Sequence, residues 1–121
     1  MADVLVGLVS DFEDGRRKVI TRGDKELVVF QHRGRFHAFE NTCVHMGGPV
    51  GEGLILGKVE AVLDDDKCFV LERFSEDEMH LICPWHGWEY DIETGEYAGD
   101  RRKRLRRYET IQKEDRVYVR A

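Results

Sequence analysis

The sequence predicts an all-β protein, an antiparallel β-sandwich or barrel of short strands. Short apolar runs rich in β-branched and aromatic residues recur along the chain, separated by tight-turn signals such as Gly23-Asp24-Lys25, Arg33-Gly34-Arg35 and Thr94-Gly95. No long amphipathic helix pattern, internal repeat or low-complexity tract interrupts them. Two segments, one at 43–49 and one at 83–88, break the strand pattern with Cys, His, Gly and Pro, and chemistry is expected there.

The elements follow in order. Residues 4–9 (VLVGLV) read as a strand, and the acidic stretch 11–15 as a turn. Residues 17–21 and 26–31 form a hairpin around Gly23-Asp24-Lys25, with LVVF at 27–30 strongly β. After the turn at Arg33-Gly34-Arg35, residues 36–40 alternate Phe36 and Ala38 against His37 and Phe39, as a two-faced strand does. Gly47, Gly48, Gly51, Gly53 and Gly57 crowd the next segment, which suits a loop that needs unusual φ values and close backbone approach. Strands are expected at 58–63 and 67–73 around Asp64-Asp65-Asp66, an acidic turn at 74–78, and a strand at 79–82. A strand at 88–92, the basic run DRRKRLRR at 100–107, and a closing hairpin of 108–111 with 117–119 complete the chain.

A chain of 121 residues makes one domain that buries roughly two thirds of its unfolded surface. Charged residues are 36% and apolar ones 41%, which excludes a disordered chain. No apolar run approaches the ~20 residues of a membrane span, and the N-terminus shows no basic region leading into a long apolar stretch. The three cysteines, Cys43, Cys68 and Cys83, are an odd number, which argues against a disulfide framework and for a reducing, cytoplasmic location.

Cys43-Val44-His45 and Cys83-Pro84-Trp85-His86 each offer one thiolate and one imidazole, donors that suit iron or zinc. On ligand chemistry alone a single structural zinc held by these four side chains is an open alternative. The C-x-H and C-x-x-H boxes, with the run CPWHGWEYDIETGEY at 83–97, resemble the Rieske [2Fe–2S] domain. The resemblance implies a Rieske-like sandwich or barrel with a small cluster-binding subdomain formed by two loops. It also implies one [2Fe–2S] cluster, with Cys43 and Cys83 on the inner iron and His45 and His86 on the outer one. Met46, Gly48, Pro84, Trp85, Gly87 and Trp88 would surround it. A single domain over 1–121 is expected, with the cluster-binding part at about 41–92 and an inserted hairpin at about 56–80.

With two thiolates, two neutral imidazoles, two sulfides and two ferric ions the centre is neutral, whereas four thiolates would leave it a dianion. A neutral centre accepts an electron more readily, which places the type at roughly −150 to +300 mV. Membrane-bound respiratory relatives carry a disulfide-forming Cys in each box; Gly48 and Trp85 stand there in this chain. Gly87-Trp88 after His86 brings no hydroxyl donor, so a potential at the low end is expected.

The reading implied is a small electron carrier working between a flavoprotein reductase and a terminal, ring-hydroxylating type of oxygenase, without substrate chemistry, nucleic acid or membrane. A small subunit of a larger oxidoreductase such as nitrite reductase is the alternative, and a zinc module the third. Cys68 reads as an inert strand or core thiol, and His32, His37 and His80 as surface or strand histidines. The six cations of 101–107 leave 13 basic residues against 24 acidic, −11, in the rest of the chain. A solvated strand end, docking of an acidic redox partner, and nucleic-acid binding are ranked in that order for this run.

Overall fold

The computed structural model describes residues 3–42, 47–63, 65–66, 69–85 and 87–121, and only the backbone of 14–15, 59–63 and 69–77. Cys43, His45, Met46, Cys68 and His86 lie outside the described residues.

Eleven described strands form two antiparallel sheets. The first contains β1 (Asp3–Leu8), β2 (Arg17–Arg22), β3 (Lys25–His32), β4 (Arg35–Glu40), β10 (Arg107–Lys113) and β11 (Arg116–Arg120), in the order β1-β11-β10-β4-β3-β2. The second contains β5 (Leu54–Leu63), β6 (Phe69–Ile82), β7 (Glu89–Asp91), β8 (Glu96–Tyr97) and β9 (Asp100–Arg104), ordered as in the chain. Val6 of β1 and Ile20 of β2, at opposite ends of the first sheet, pack in one cluster with Phe12, Leu27, Val29, Val117 and Val119. Shared packing of both end strands makes this sheet a near-closed barrel around its own interior.

Strand β3 shows why the sheets join. Leu27, Val28, Val29 and Phe30 are all buried. Leu27 and Val29 fill the barrel interior, while Val28 and Phe30 belong to the second cluster with Phe39, Val50, Leu81, Cys83, Tyr90, Ile92 and Leu105. Period-two alternation thus splits one apolar run between two cores. In the turn between β3 and β4, Arg33 (φ 51°) and Gly34 (φ 79°) both take positive φ, the geometry of a two-residue hairpin whose twist matches its strands.

The structure corrects several expectations. The acidic segment 11–15 belongs to a short 3₁₀ helix, Val9–Gly15, because Asp11 accepts hydrogen bonds from the Leu8 amide at 2.9 Å and from Lys18 Nζ at 3.0 Å. Residues 74–78 make no turn: β6 runs through them to Ile82. They do leave the ladder register. Gly57 pairs with Met79 and Val59 with Phe74, so residues 75–78 stand opposite Lys58 alone, and the surplus bulges without reversing the chain. The expected strand 88–92 is shorter, Glu89–Asp91.

Two histidines expected at the surface or in strands lie in strands and are buried. His80 and His37 are each 1% exposed. His37 faces the Phe30 ring at 5.5 Å, and neither of its ring nitrogens has a hydrogen-bond partner among the described residues. Among those residues, no helix is long and apolar enough to cross a membrane.

Burial lowers the His37 pKa from 6.5 to about 4, with Glu93 opposing and Arg107, Arg35 and His32 assisting. Between those values the unfolded chain binds a proton that the native state refuses, so stability rises with pH across that window. Denaturant midpoints should therefore fall as pH drops from 6.5 toward 4. His37→Phe should flatten that slope, worth at most about 3 kcal/mol. An unchanged slope in the variant would assign it to other groups.

Candidate metal centre

The two candidate loops start and end on strands that hold their bases together. The first loop is closed by Asn41 at the end of β4. Its Oδ1 accepts the Gly51 amide at 2.7 Å, and its Nδ2 donates to Glu26 Oε1 at 2.7 Å. The Asn41 amide donates to the Glu26 carbonyl at 2.8 Å, so one residue ties the loop base to β3. Beyond the loop, Arg17 Nη1 donates to the Gly51 carbonyl at 2.5 Å and also to the Gly53 carbonyl. The second loop follows β6 and is closed by the Cys83 amide donating to the Trp88 carbonyl at 2.8 Å. Gly87 takes φ +71° there, and Gly47 takes φ +74° in the first loop, both in the left-handed region that glycine tolerates.

The loops meet at close range. A Cβ on Gly48 would stand 2.8 Å from Trp85 Cγ and 2.9 Å from Cys83 Sγ; a Cβ on Gly53 would fall 1.5 Å from the Ile82 carbonyl oxygen. The first loop can lie against the second only because these positions carry no side chain. Cys83 is fully buried, in the core cluster it shares with Val28, Phe39 and Tyr90. Its surroundings fit a metal ligand in one respect: the sulfur donor is sheltered from water, with the Gly48 backbone and Trp85 packed close against it.

Of the expected site residues, the structure brings together Cys83, Gly48 and Trp85. Trp85 packs over Gly48 yet is 50% exposed, so it covers the site from the solvent side. Pro84 and Gly87 are exposed. Trp88 packs against the core cluster that contains Cys83 and stacks on Tyr97, with ring centroids 3.9 Å apart and an interplanar angle of 7°. Lys103 Nζ lies 5.6 Å from the centre of the Trp88 ring. Cys43, His45, Met46 and His86 lie outside the described residues.

Sequence reasoning missed Asn41, Arg17 and the polar network behind the second loop. Asn41, two residues before the Cys-His box, was a readable loop-closing signal; nothing marked Arg17. Buried His80 holds Glu78 Oε2 at 2.5 Å through Nε2 and Glu89 Oε1 at 3.0 Å through Nδ1. Arg101 reaches Glu78 at 3.4 Å, Asp91 at 3.7 Å and Glu96 at 3.8 Å. Burial would raise the Glu78 pKa, but the His80 hydrogen bond, Lys58 and Arg101 outweigh it and the value is lowered.

The family model of the Rieske [2Fe-2S] domain matches residues 2–109. The chain is 33% identical over 95 residues to a human Rieske domain-containing protein, covering 78% of this chain and 50% of that protein. It is 30% identical over 88 residues to the ferredoxin component of the alkene monooxygenase system of Xanthobacter autotrophicus, covering 73% of this chain and 56% of the relative. The chain thus spans about half the length of these two curated relatives. A structure of reduced oxygenase with oxidized ferredoxin in carbazole 1,9a-dioxygenase superposes with TM-score 0.70 at 26% identity, covering 97% of this chain and 91% of that one. A protein described as a nitrite reductase NADPH small subunit superposes with TM-score 0.73 over 100% of both chains, at 11% identity, a likeness of fold.

Two substitutions test the loop contact by urea denaturation. Asn41→Ala leaves the buried Gly51 amide without its partner and should cost roughly 1–3 kcal/mol. Gly48→Ala forces Trp85 and Cys83 apart and should cost about 1–3 kcal/mol. A Gly48→Ala protein as stable as the parent would show that the loops do not need this contact.

Proposed function

The chain belongs to the Rieske [2Fe–2S] family, and from that premise we propose that it carries single electrons within an oxygenase system, holding its cluster through Cys43, His45, Cys83 and His86. The family binds one Rieske-type [2Fe–2S] cluster. When bound, that group supplies a one-electron redox couple. The observation that carries the reading is the convergence of two loops on the buried Cys83 sulfur, with Gly48 against it. The family pattern and the ferredoxin component among the relatives support it.

Each part of the chain then has a task. Cys83 keeps its thiolate in the core, away from water and oxidants. Asn41 and the Cys83–Trp88 backbone bond set the separation of the loops. Trp85 shields the site at the surface and limits water, which tunes the potential. His45 and His86 would hold the outer iron, through which the electron would enter and leave. The cluster-holding part is about 41–92, with the hairpin of about 56–80 inserted within it. The carrier does no substrate chemistry: an oxygenase accepts its electron, and a flavoprotein reductase supplies it. The nitrite reductase likeness, at 11% identity, gives no ground for preferring that partner.

An absorption spectrum and a low-temperature EPR spectrum, before and after dithionite, test the reading. Expected are a red-brown protein and a rhombic signal of low average g on reduction. Cys43→Ser, His45→Ala, Cys83→Ser and His86→Ala should each abolish that signal. A colourless protein that retains zinc would replace the carrier with a structural module. Redox titration should place the potential toward the lower end of roughly −150 to +300 mV, since Gly87-Trp88 offers no hydroxyl donor.

A further inference from the structure

The basic run 101–107 is one block in the sequence but two populations in the structure. Arg101 is committed to Glu78, Asp91 and Glu96, and Arg102 pairs with Asp100 at 3.0 Å. Lys103, Arg104, Arg106 and Arg107 are exposed and form no ion pair among the described residues. Leu105, between them, is buried and anchors the segment in the core.

This run is also tied to both loops of the metal centre. Lys103 sits over Trp88, whose carbonyl closes the second loop. The Arg106 carbonyl accepts the Glu40 amide at 2.9 Å, and Arg107 pairs with Phe39, next to the base of the first loop. Four cations that form no ion pair among the described residues therefore lie between one loop base and the other. The rest of the chain carries 15 basic and 24 acidic residues.

We propose that this strip is the docking surface for the electron partner, and that the partner presents a face rich in Asp and Glu. The inference rests on the electron-carrier reading and adds where, and by what chemistry, the partner is received. Acidic residues outnumber basic ones in the rest of the chain, so an acidic face is drawn to the strip in preference to the remainder of the surface. Encounter is thereby steered to the end of the protein where the electron leaves. Nucleic acid fits less well, because four cations neutralise few phosphates and the net charge of −5 repels the rest of a polyanion.

Charged redox probes test the local field. Dithionite-reduced protein is mixed with ferricyanide or with hexaammineruthenium(III) in stopped flow; one electron leaves the protein, the oxidant is reduced, and no bond forms or breaks. The ferricyanide rate should fall as salt rises and the hexaammineruthenium rate should increase, opposite to what the net charge of −5 would give. The variant Arg104→Glu/Arg106→Glu/Arg107→Glu should invert both trends while keeping the reduced EPR signal. The milder Arg104→Gln/Arg106→Gln/Arg107→Gln should remove them if the first variant fails to fold. Independently of redox state, the parent should bind a fluorescein-labelled glutamate oligomer at low salt about tenfold more tightly than the glutamine variant, a difference of ~1.4 kcal/mol. A ferricyanide rate that increases with salt in the parent overturns the docking inference and leaves the carrier reading intact. Absence of the EPR signal in the parent overturns the carrier reading itself. Retention of duplex DNA at about 0.15 M salt, lost in the variants, would assign the strip to nucleic acid and overturn the proposal.

Discussion

The arrangement depends on one steric condition: two loops distant in sequence must touch at a buried sulfur. The contact leaves no room for a Cβ at Gly48 or Gly53. Bringing two loops together from a free chain costs closure entropy, and the sheets meet most of that cost before the loops are considered. The first loop leaves β4 and returns beside β5, the second leaves β6 and returns into β7, and β6 lies between β5 and β7. The four loop ends are thus anchored by ladders whose stability comes from the cores. Asn41 and Arg17 fix the last part of the path by satisfying backbone groups that the turn at Gly51 would otherwise leave unpaired.

Much of this was legible in the sequence. The alternation in LVVF at 27–30 and in FHAFE at 36–40 marks strands, and the Gly23 and Arg33-Gly34 turns fall where expected. The strands carrying the loops follow from the same pattern, whereas the gathering of Gly48 and Trp85 around Cys83 was implied by the family resemblance. What escaped has common causes. The segment at 74–78 is polar and acidic, which suggests a turn, but the extra residues are absorbed as a bulge in a continuous strand. His37 and His80 are polar by type, yet each is enclosed by its neighbours, one by aromatic packing and one by carboxylates. Arg17 acts through the Gly51 and Gly53 carbonyls, far away in the chain, and local composition does not display such pairings.

Charge shows the same limit. Counted along the chain, Arg101 and Arg102 belong with the cations that follow. Arg101 is instead the centre of an acidic group formed by Glu78, Asp91 and Glu96 from three strands, behind which His80 joins Glu78 to Glu89. That network braces β6 against β7, the strands on either side of the second loop, so charged residues stiffen the frame that holds the sulfur in place. Arg101 is about half covered, so its ion pairs contribute modestly in energy and mainly orient the strands.

Strand β9 is the last strand of its sheet, and no further described strand pairs with it. An unpaired strand edge is an invitation to another copy of the same chain, since the backbone groups on that side can be extended by a stranger as readily as by a neighbour. Here the open edge ends in Lys103 and Arg104, both exposed. Two such edges brought side by side would set like charges against each other. The residues that make this margin hospitable to a foreign acidic surface thus also protect the fold from polymerising through its own sheet.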